Sequence, residues 1–168
     1  GGVTVGHLST TYGLYPGYEV PADQPWLVEF NDADTILADA AALTAAGADF
    51  VVLSIQWGIE YQTEPTDEQR SLAATLLASS DLDLIIGHHA HVLQPVERIG
   101  DEYVAYGLGN FLSNQSPESC SVCPAGTQDG VVVRFTIADD GTGRHVVTDV
   151  DGVPTWVDRT DYTIVPVA

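Results

Sequence analysis

Three of the five histidines stand in Gly87-His88-His89-Ala90-His91, directly after an apolar run that ends at Ile86. An H-x-H pair in a loop can turn two imidazoles toward one centre, and neutral imidazole suits zinc, manganese, iron or nickel. A single histidine here would read as a solvated turn or a satisfied core residue, but three in so short a stretch point to ligation. Gly87 is expected to let the backbone turn sharply at the strand end. A second loop, Gln56-Trp57-Gly58-Ile59-Glu60-Tyr61, follows another apolar run. Its Glu60 could ligate a metal or act as a base, and reads equally well as one surface carboxylate among 24 acidic residues. In the third loop, Tyr106-Gly107-Leu108-Gly109-Asn110-Phe111, two glycines allow close backbone approach and Asn110 offers an amide. Taken alone, that loop is as well explained by a β-bulge or a tight turn.

The elements that must position these loops follow from periodicity. From Asp32 to about Ala46, Ala33, Ile36, Leu37, Ala40, Ala41 and Leu43 fall at helical spacing, with Asn31 or Asp32 as cap and Gly47 as stop. Phe50-Val51-Val52-Leu53-Ser54-Ile55 is continuous and apolar, as in a strand buried on both faces. The order repeats with a helix over Thr66 to Ser79 and a strand over Leu82 to Ile86. Helix, strand, helix, strand implies parallel strands joined by crossovers, whose carboxyl ends form the ligand crevice. Residues 3 to 5 are expected to end a short strand, and Tyr12 to Tyr18 to form an aromatic loop. Beyond residue 91 the pattern changes to short strands over Val92 to Arg98, Tyr103 to Leu108, Val131 to Ala138 and Arg144 to Val150, the last two joined by a turn at Asp139-Asp140-Gly141-Thr142-Gly143. This second half is mainly antiparallel, and nothing splits residues 1-168 into separate domains.

Composition bounds what these loops can serve. The 168 residues contain five basic and 24 acidic side chains, for a formal charge of −19. All five basic residues are arginines, and a surface so acidic repels phosphate backbones and anionic headgroups, excluding nucleic-acid and membrane-surface binding. No apolar stretch approaches the ~20 residues of a membrane span, so no membrane insertion by this piece is expected. The chain begins Gly1-Gly2 without methionine, which suggests a piece cut from something longer. Cys120 and Cys123 are too few for a disulfide scaffold or a four-ligand zinc site. Their C-x-x-C lies in a loop-like context that leaves open a local disulfide, a pair of inert thiols, or redox or metal chemistry, the first being favoured.

The run from Val51 to Tyr61, then Pro65, Gln69 and Ala73, then Ile85 to Pro95, then Tyr106 to Phe111, resembles the bacterial capsule-synthesis, poly-γ-glutamate biosynthesis family. The likeness covers about residues 30 to 115. It implies a calcineurin-like metallophosphoesterase fold: an α/β, partial four-layer α/β/β/α sandwich, with parallel strands and helices in the first half and mainly antiparallel strands in the second. It also implies a bacterial cell-envelope or extracellular location and a divalent metal, Mn, Zn or Fe. On this resemblance the metal ligands are His89 and His91, with His88 as alternate, and the catalytic residues are Glu60, His88 and Asn110.

Two departures qualify that transfer. The family carries histidine where this chain has Gln56, whose amide oxygen is a weaker ligand for a transition metal. The family's earlier metal-binding motifs have no counterpart in residues 1 to 30, so the piece is expected to be the carboxyl-terminal half of a larger domain. Its partner would be the missing amino-terminal half, and an anionic envelope polymer is a further candidate. Two imidazoles do not close a metal site, so catalysis is expected only in a completed domain, as a metal-dependent, phosphoesterase-like hydrolase. The alternatives are a non-catalytic polymer- or wall-binding module with a decayed metal site, or a structural envelope domain.

Overall fold

The computed structural model describes residues 2–167. Their order is β1 (Val5–Thr11), α1 (Ala33–Ala45), β2 (Phe50–Gln56), α2 (Asp67–Leu76), β3 (Leu84–His88), β4 (Val96–Ile99), β5 (Glu102–Ala105), β6 (Asp129–Asp139), β7 (His145–Asp158) and β8 (Thr163–Pro166). Local chemistry sets the helix ends. The Asp32 carboxylate caps α1 by accepting from Thr35 N at 2.9 Å, and Gly47 leaves the helix at φ 101°. Thr66 and Gln69 close a reciprocal capping box that starts α2.

Strands β1, β2, β3 and β5 are parallel and β4 is antiparallel to β5, in the order β1-β2-β3-β5-β4. Strands β6, β7 and β8 form a second, antiparallel sheet. The helices cover one face of the first sheet, where Ile36, Ala40, Ala73 and Leu76 pack with Val51, Leu53, Ile55 and Ile85. Part of the other face meets the second sheet through Phe50, Leu84 and Val147, backed by Ile86, Tyr103, Phe135 and Val150. The described residues therefore build an α/β fold of three layers, α/β/β.

Several boundaries differ from the sequence reading. Val5 begins a strand rather than ending one, because β1 pairs along its whole length with β2. Helix α2 stops at Leu76, three residues before Ser79, and the ladder partners of β4 and β5 limit them to four residues each. Strand β7 runs on to Asp158 because β6 and β8 flank it, and β8 itself carries too short a pattern to be seen alone.

A charged cluster ties the two sheets together. Arg144, after the β6–β7 turn, bonds the Glu102 carboxylate of β5 and lies 3.9 Å from Asp83, whose other oxygen accepts from Val51 N at 2.7 Å. Glu102 is only 3% exposed, and its Oε2 has no partner among the described residues. Burial raises both carboxyl pKa values, and the Arg144 guanidinium offsets that only in part. A carboxyl that holds its proton more tightly when folded adds stability as pH falls toward its ordinary value, 4.5 for Glu102, and gives it up as pH rises. Acidification from pH about 7 to about 5 is therefore expected to stabilise the wild type relative to Glu102→Gln in urea unfolding. Parallel responses in the two proteins would show that Glu102 ionises normally.

Candidate functional site

The carboxyl ends of the parallel strands bring the sequence candidates together. Thr11, Gln56 and His88 stand side by side across β1, β2 and β3. The loops that follow hold Tyr12, Glu60 with Tyr61, and His89 with His91. A cleft of about 820 Å³ is lined by Tyr12, Tyr15, Gln56, Glu60, His89 and His91 among others.

His91 has the most defined surroundings. The Asn110 amide donates from Nδ2 to the Thr127 carbonyl at 2.9 Å and to Gln115 Oε1 at 3.1 Å, so its Oδ1 is the atom 2.9 Å from His91 Nδ1. An acceptor there places the proton on Nδ1, so the neutral ring keeps its lone pair on Nε2. That nitrogen lies 3.8 Å from Glu60 Oε1. A histidine whose far nitrogen donates to a fixed acceptor is the arrangement by which proteins orient a metal-ligating imidazole.

His89 is held less firmly. Its Nδ1 is 3.5 Å from Gln56 Nε2, and its ring lies against Tyr12 at 4.8 Å between centroids. Thr11 Oγ1 donates to Gln56 Oε1 at 2.8 Å, which turns the amide nitrogen toward His89. The His89 and His91 rings are 6.3 Å apart. His88 is exposed as a residue but its ring is partly desolvated and makes no side-chain hydrogen bond among the described residues, lining clefts with Thr11 and Gln56 on one side and Asn110 on the other. Desolvation lowers the pKa of His88 and of His89, favouring the neutral rings that a metal requires.

Backbone strain gathers in the same place. Tyr61, His89 and His91 have φ of 67°, 102° and 59°, in the left-handed region that side chains other than glycine rarely occupy. Each costs of order 1–3 kcal/mol and persists only because neighbours fix it. Tyr61 N donates to the Ala90 carbonyl at 2.7 Å, joining the Glu60 loop to the histidine loop.

Gly87 corrects the sequence reading. It makes no left-handed turn, and its φ lies outside that region. It is glycine because Tyr106 O would lie 2.0 Å, and Trp57 Nε1 2.4 Å, from a Cβ at this position. Trp57 Nε1 donates to that same carbonyl at 3.0 Å. Gln69 and Gln94, both buried, link α2 to the loops through bonds of 3.2 Å to each other and 2.9 Å to the Gln62 carbonyl. Several residues that set the site were absent from the sequence reading of it: Thr11 and Tyr12, because β1 was expected to end at residue 5, Gln115, which lies in a loop, and Thr127, which lies in a 3-10 turn.

Cys120 and Cys123 form a disulfide, which settles the choice that their loop context left open. For a divalent transition ion the donor types fit: the imidazoles of His89 and His91, the second with its Nε2 oriented, and the Glu60 carboxylate. The geometry does not close around one, since no three His, Cys, Asp or Glu side chains converge to hold a metal ion among the described residues.

The model of the family described as bacterial capsule synthesis protein PGA_cap matches residues 1–115. The chain belongs to that family. The PGA_cap match contains all three loops, whereas Cys120, Cys123 and strands β6 to β8 lie beyond it. Two relatives agree: a PGA biosynthesis protein CapA of Bacillus subtilis strain 168, 32% identical over 150 residues, and a capsule biosynthesis protein CapA of Bacillus anthracis, 31% identical over 144 residues. These alignments cover 89% and 84% of this chain but 37% and 33% of the relatives, so the chain spans about a third of their length. Among solved structures, a calcineurin-like phosphoesterase, YfkN from Bacillus subtilis, is similar at 18% identity with a TM-score of 0.45, over 73% of this chain and 35% of that one. No helix of this PGA_cap chain is long and apolar enough to cross a membrane among the described residues.

Proposed function

We infer that the strand-end loops form one side of a divalent-metal site in an extracellular or envelope protein of capsule assembly, and that further ligands come from outside this chain. The observation that carries this reading is the His91–Asn110 pair. His91 Nδ1 donates to a fixed acceptor, which leaves Nε2, 3.8 Å from the Glu60 carboxylate, free on a half-exposed ring, as ligation requires. His89 and His91 are the ligands, His88 is an alternate, and Glu60 is a further ligand or base. A divalent ion held there would supply Lewis acidity, as to a phosphoester oxygen. The relatives, about two and a half times as long, leave room for the remaining ligands outside the part that aligns.

Substrate charge bears on the alternative of polymer binding. All five arginines are paired with carboxylates, namely Arg70 with Glu97, Arg98 with Asp101, Arg134 with Asp151, Arg144 with Glu102 and Arg159 with Glu118. With no lysine in the sequence, an anionic polymer would meet this surface through metal or through another part of the protein.

The test is Gln56→His. Gln56 Nε2 lies 3.5 Å from His89, so an imidazole at that position joins His89 and His91 as a third nitrogen donor, the number usual at catalytic zinc. Wild type is expected to bind Zn²⁺ and Mn²⁺ weakly by calorimetry, and the variant about tenfold or more tightly. Unchanged affinity with an intact thermal midpoint would remove position 56 from the site, and no binding by either protein at millimolar metal would favour the decayed-site module.

A further inference from the structure

The segment between Asn110 and β6 forms a wall against the histidine loop, and its only covalent closure is the Cys120–Cys123 disulfide. Cys123 is 5% exposed, and its Sγ lies 3.7 Å from the Tyr61 hydroxyl. Tyr61 in turn lies against His91, 6.1 Å between ring centroids, and is the left-handed residue that donates its backbone N–H to Ala90. The same segment fixes Asn110 from both sides. Gln115 precedes the disulfide and Thr127 follows it, and both accept from Asn110 Nδ2. Short-range bonds knit the disulfide to these partners. Cys120 N donates to the Ser116 carbonyl at 3.0 Å, and Thr127 Oγ1 to the Pro124 carbonyl at 2.7 Å. Asn110 and Tyr61, two of the side chains beside His91, therefore both touch this stapled segment.

We propose that the Cys120–Cys123 disulfide is a redox-sensitive latch on His91: oxidised, it holds Asn110 and Tyr61 in place and so fixes the proton on Nδ1 and the lone pair on Nε2; reduced, it releases both. Its control of metal binding rests on the reading of His91 as a ligand, whereas its control of the imidazole does not. A ring closed over two intervening residues removes little chain entropy from the unfolded state, so its effect is local rather than on global stability. The partner in the switch is a dithiol reductant. Its thiolate attacks the more exposed Cys120 Sγ to give a mixed disulfide, and Cys123 leaves as a thiolate beside the Tyr61 hydroxyl and then takes up a proton. The reductant's second thiol then releases Cys120, so two electrons and two protons pass to the cysteines and the reductant ends as a disulfide.

The experiment follows the imidazole nitrogens of the metal-free chain by ¹⁵N NMR, before and after reduction with a phosphine, and in a Cys120→Ser/Cys123→Ser variant without reductant. Breaking the disulfide by either route is expected to turn the single His91 tautomer into a mixture and to shift the Asn110 side-chain amide, while backbone signals of Leu53 and Ile85 stay put. Zinc affinity is expected to fall about tenfold in the serine variant, which, unlike the reduced protein, gains no thiolate ligands. If reduced protein keeps the His91 tautomer and the Asn110 signal unchanged, the latch is wrong whatever the metal does. If the tautomer changes but neither the oxidised protein nor the serine variant binds metal, the latch stands and the metal reading fails. Should the serine variant not fold, the phosphine-reduced wild type decides the matter alone.

Discussion

Gly87→Ala is expected to lower the thermal midpoint by about 6–12 °C, corresponding to about 3 kcal/mol or more. The added methyl would sit 2.0 Å from the Tyr106 carbonyl oxygen, inside van der Waals contact with backbone that β3–β5 pairing holds in place. Relief requires β5 to move away from β3 or Trp57 to give up its 3.0 Å bond to that carbonyl, and both changes reach the loops that follow. Gly13→Ala is the matched control, because a methyl there meets nothing within 4 Å. Melting curves followed by circular dichroism check the pair. If Gly87→Ala melted within about 2 °C of wild type, the close strand approach described here would be wrong.

Asn110→Ala is expected to weaken zinc binding by about 10–100-fold, the usual effect of removing the partner that orients a ligating histidine. The substitution takes away the acceptor at His91 Nδ1 and lets the ring choose either tautomer. It also leaves the Thr127 carbonyl and Gln115 without their donor, so a loss of about 1–3 kcal/mol in stability accompanies it. The two effects separate by comparing calorimetric affinity with urea midpoints at a temperature where both proteins are folded. Equal zinc affinity in wild type and variant would mean that Asn110 does not orient a ligand.

The part of the architecture that positions the loops was legible because its signals are local and repeated. Asp32 caps α1, Phe50 to Ile55 form an uninterrupted apolar run, and the Thr66 to Gln69 box starts α2. Parallel order then followed from helices alternating with strands, and it sends both loops to one end of the sheet. Strand β1 was hidden because its residues alternate Val5, His7, Ser9 and Thr11 on one face with Gly6, Leu8 and Thr10 on the other. Polar groups on the first face and a glycine on the second blur the apolar pattern. At the site, residue types indicated which side chains take part, but not how they are held. The support of Asn110 by Thr127 reaches 17 residues along the chain, through loop and a short 3-10 turn, where neither hydrophobic period nor capping marks a partner. Gly87 shows the same limit, since a glycine kept for backbone freedom and one kept for close approach look alike in sequence.

The central claim, that the strand-end histidines face a divalent metal, is tested most directly by titrating the oxidised chain with Zn²⁺ while recording ¹⁵N shifts of all five imidazoles. His7, on β1, and His145, on β7, lie outside the cleft and serve as internal references. The account predicts that His91 Nε2 responds with His89 in one saturable process, that His91 Nδ1 keeps its proton throughout, and that His7 and His145 do not move. Shifts confined to His7 or His145, or loss of the His91 Nδ1 proton on binding, would contradict it.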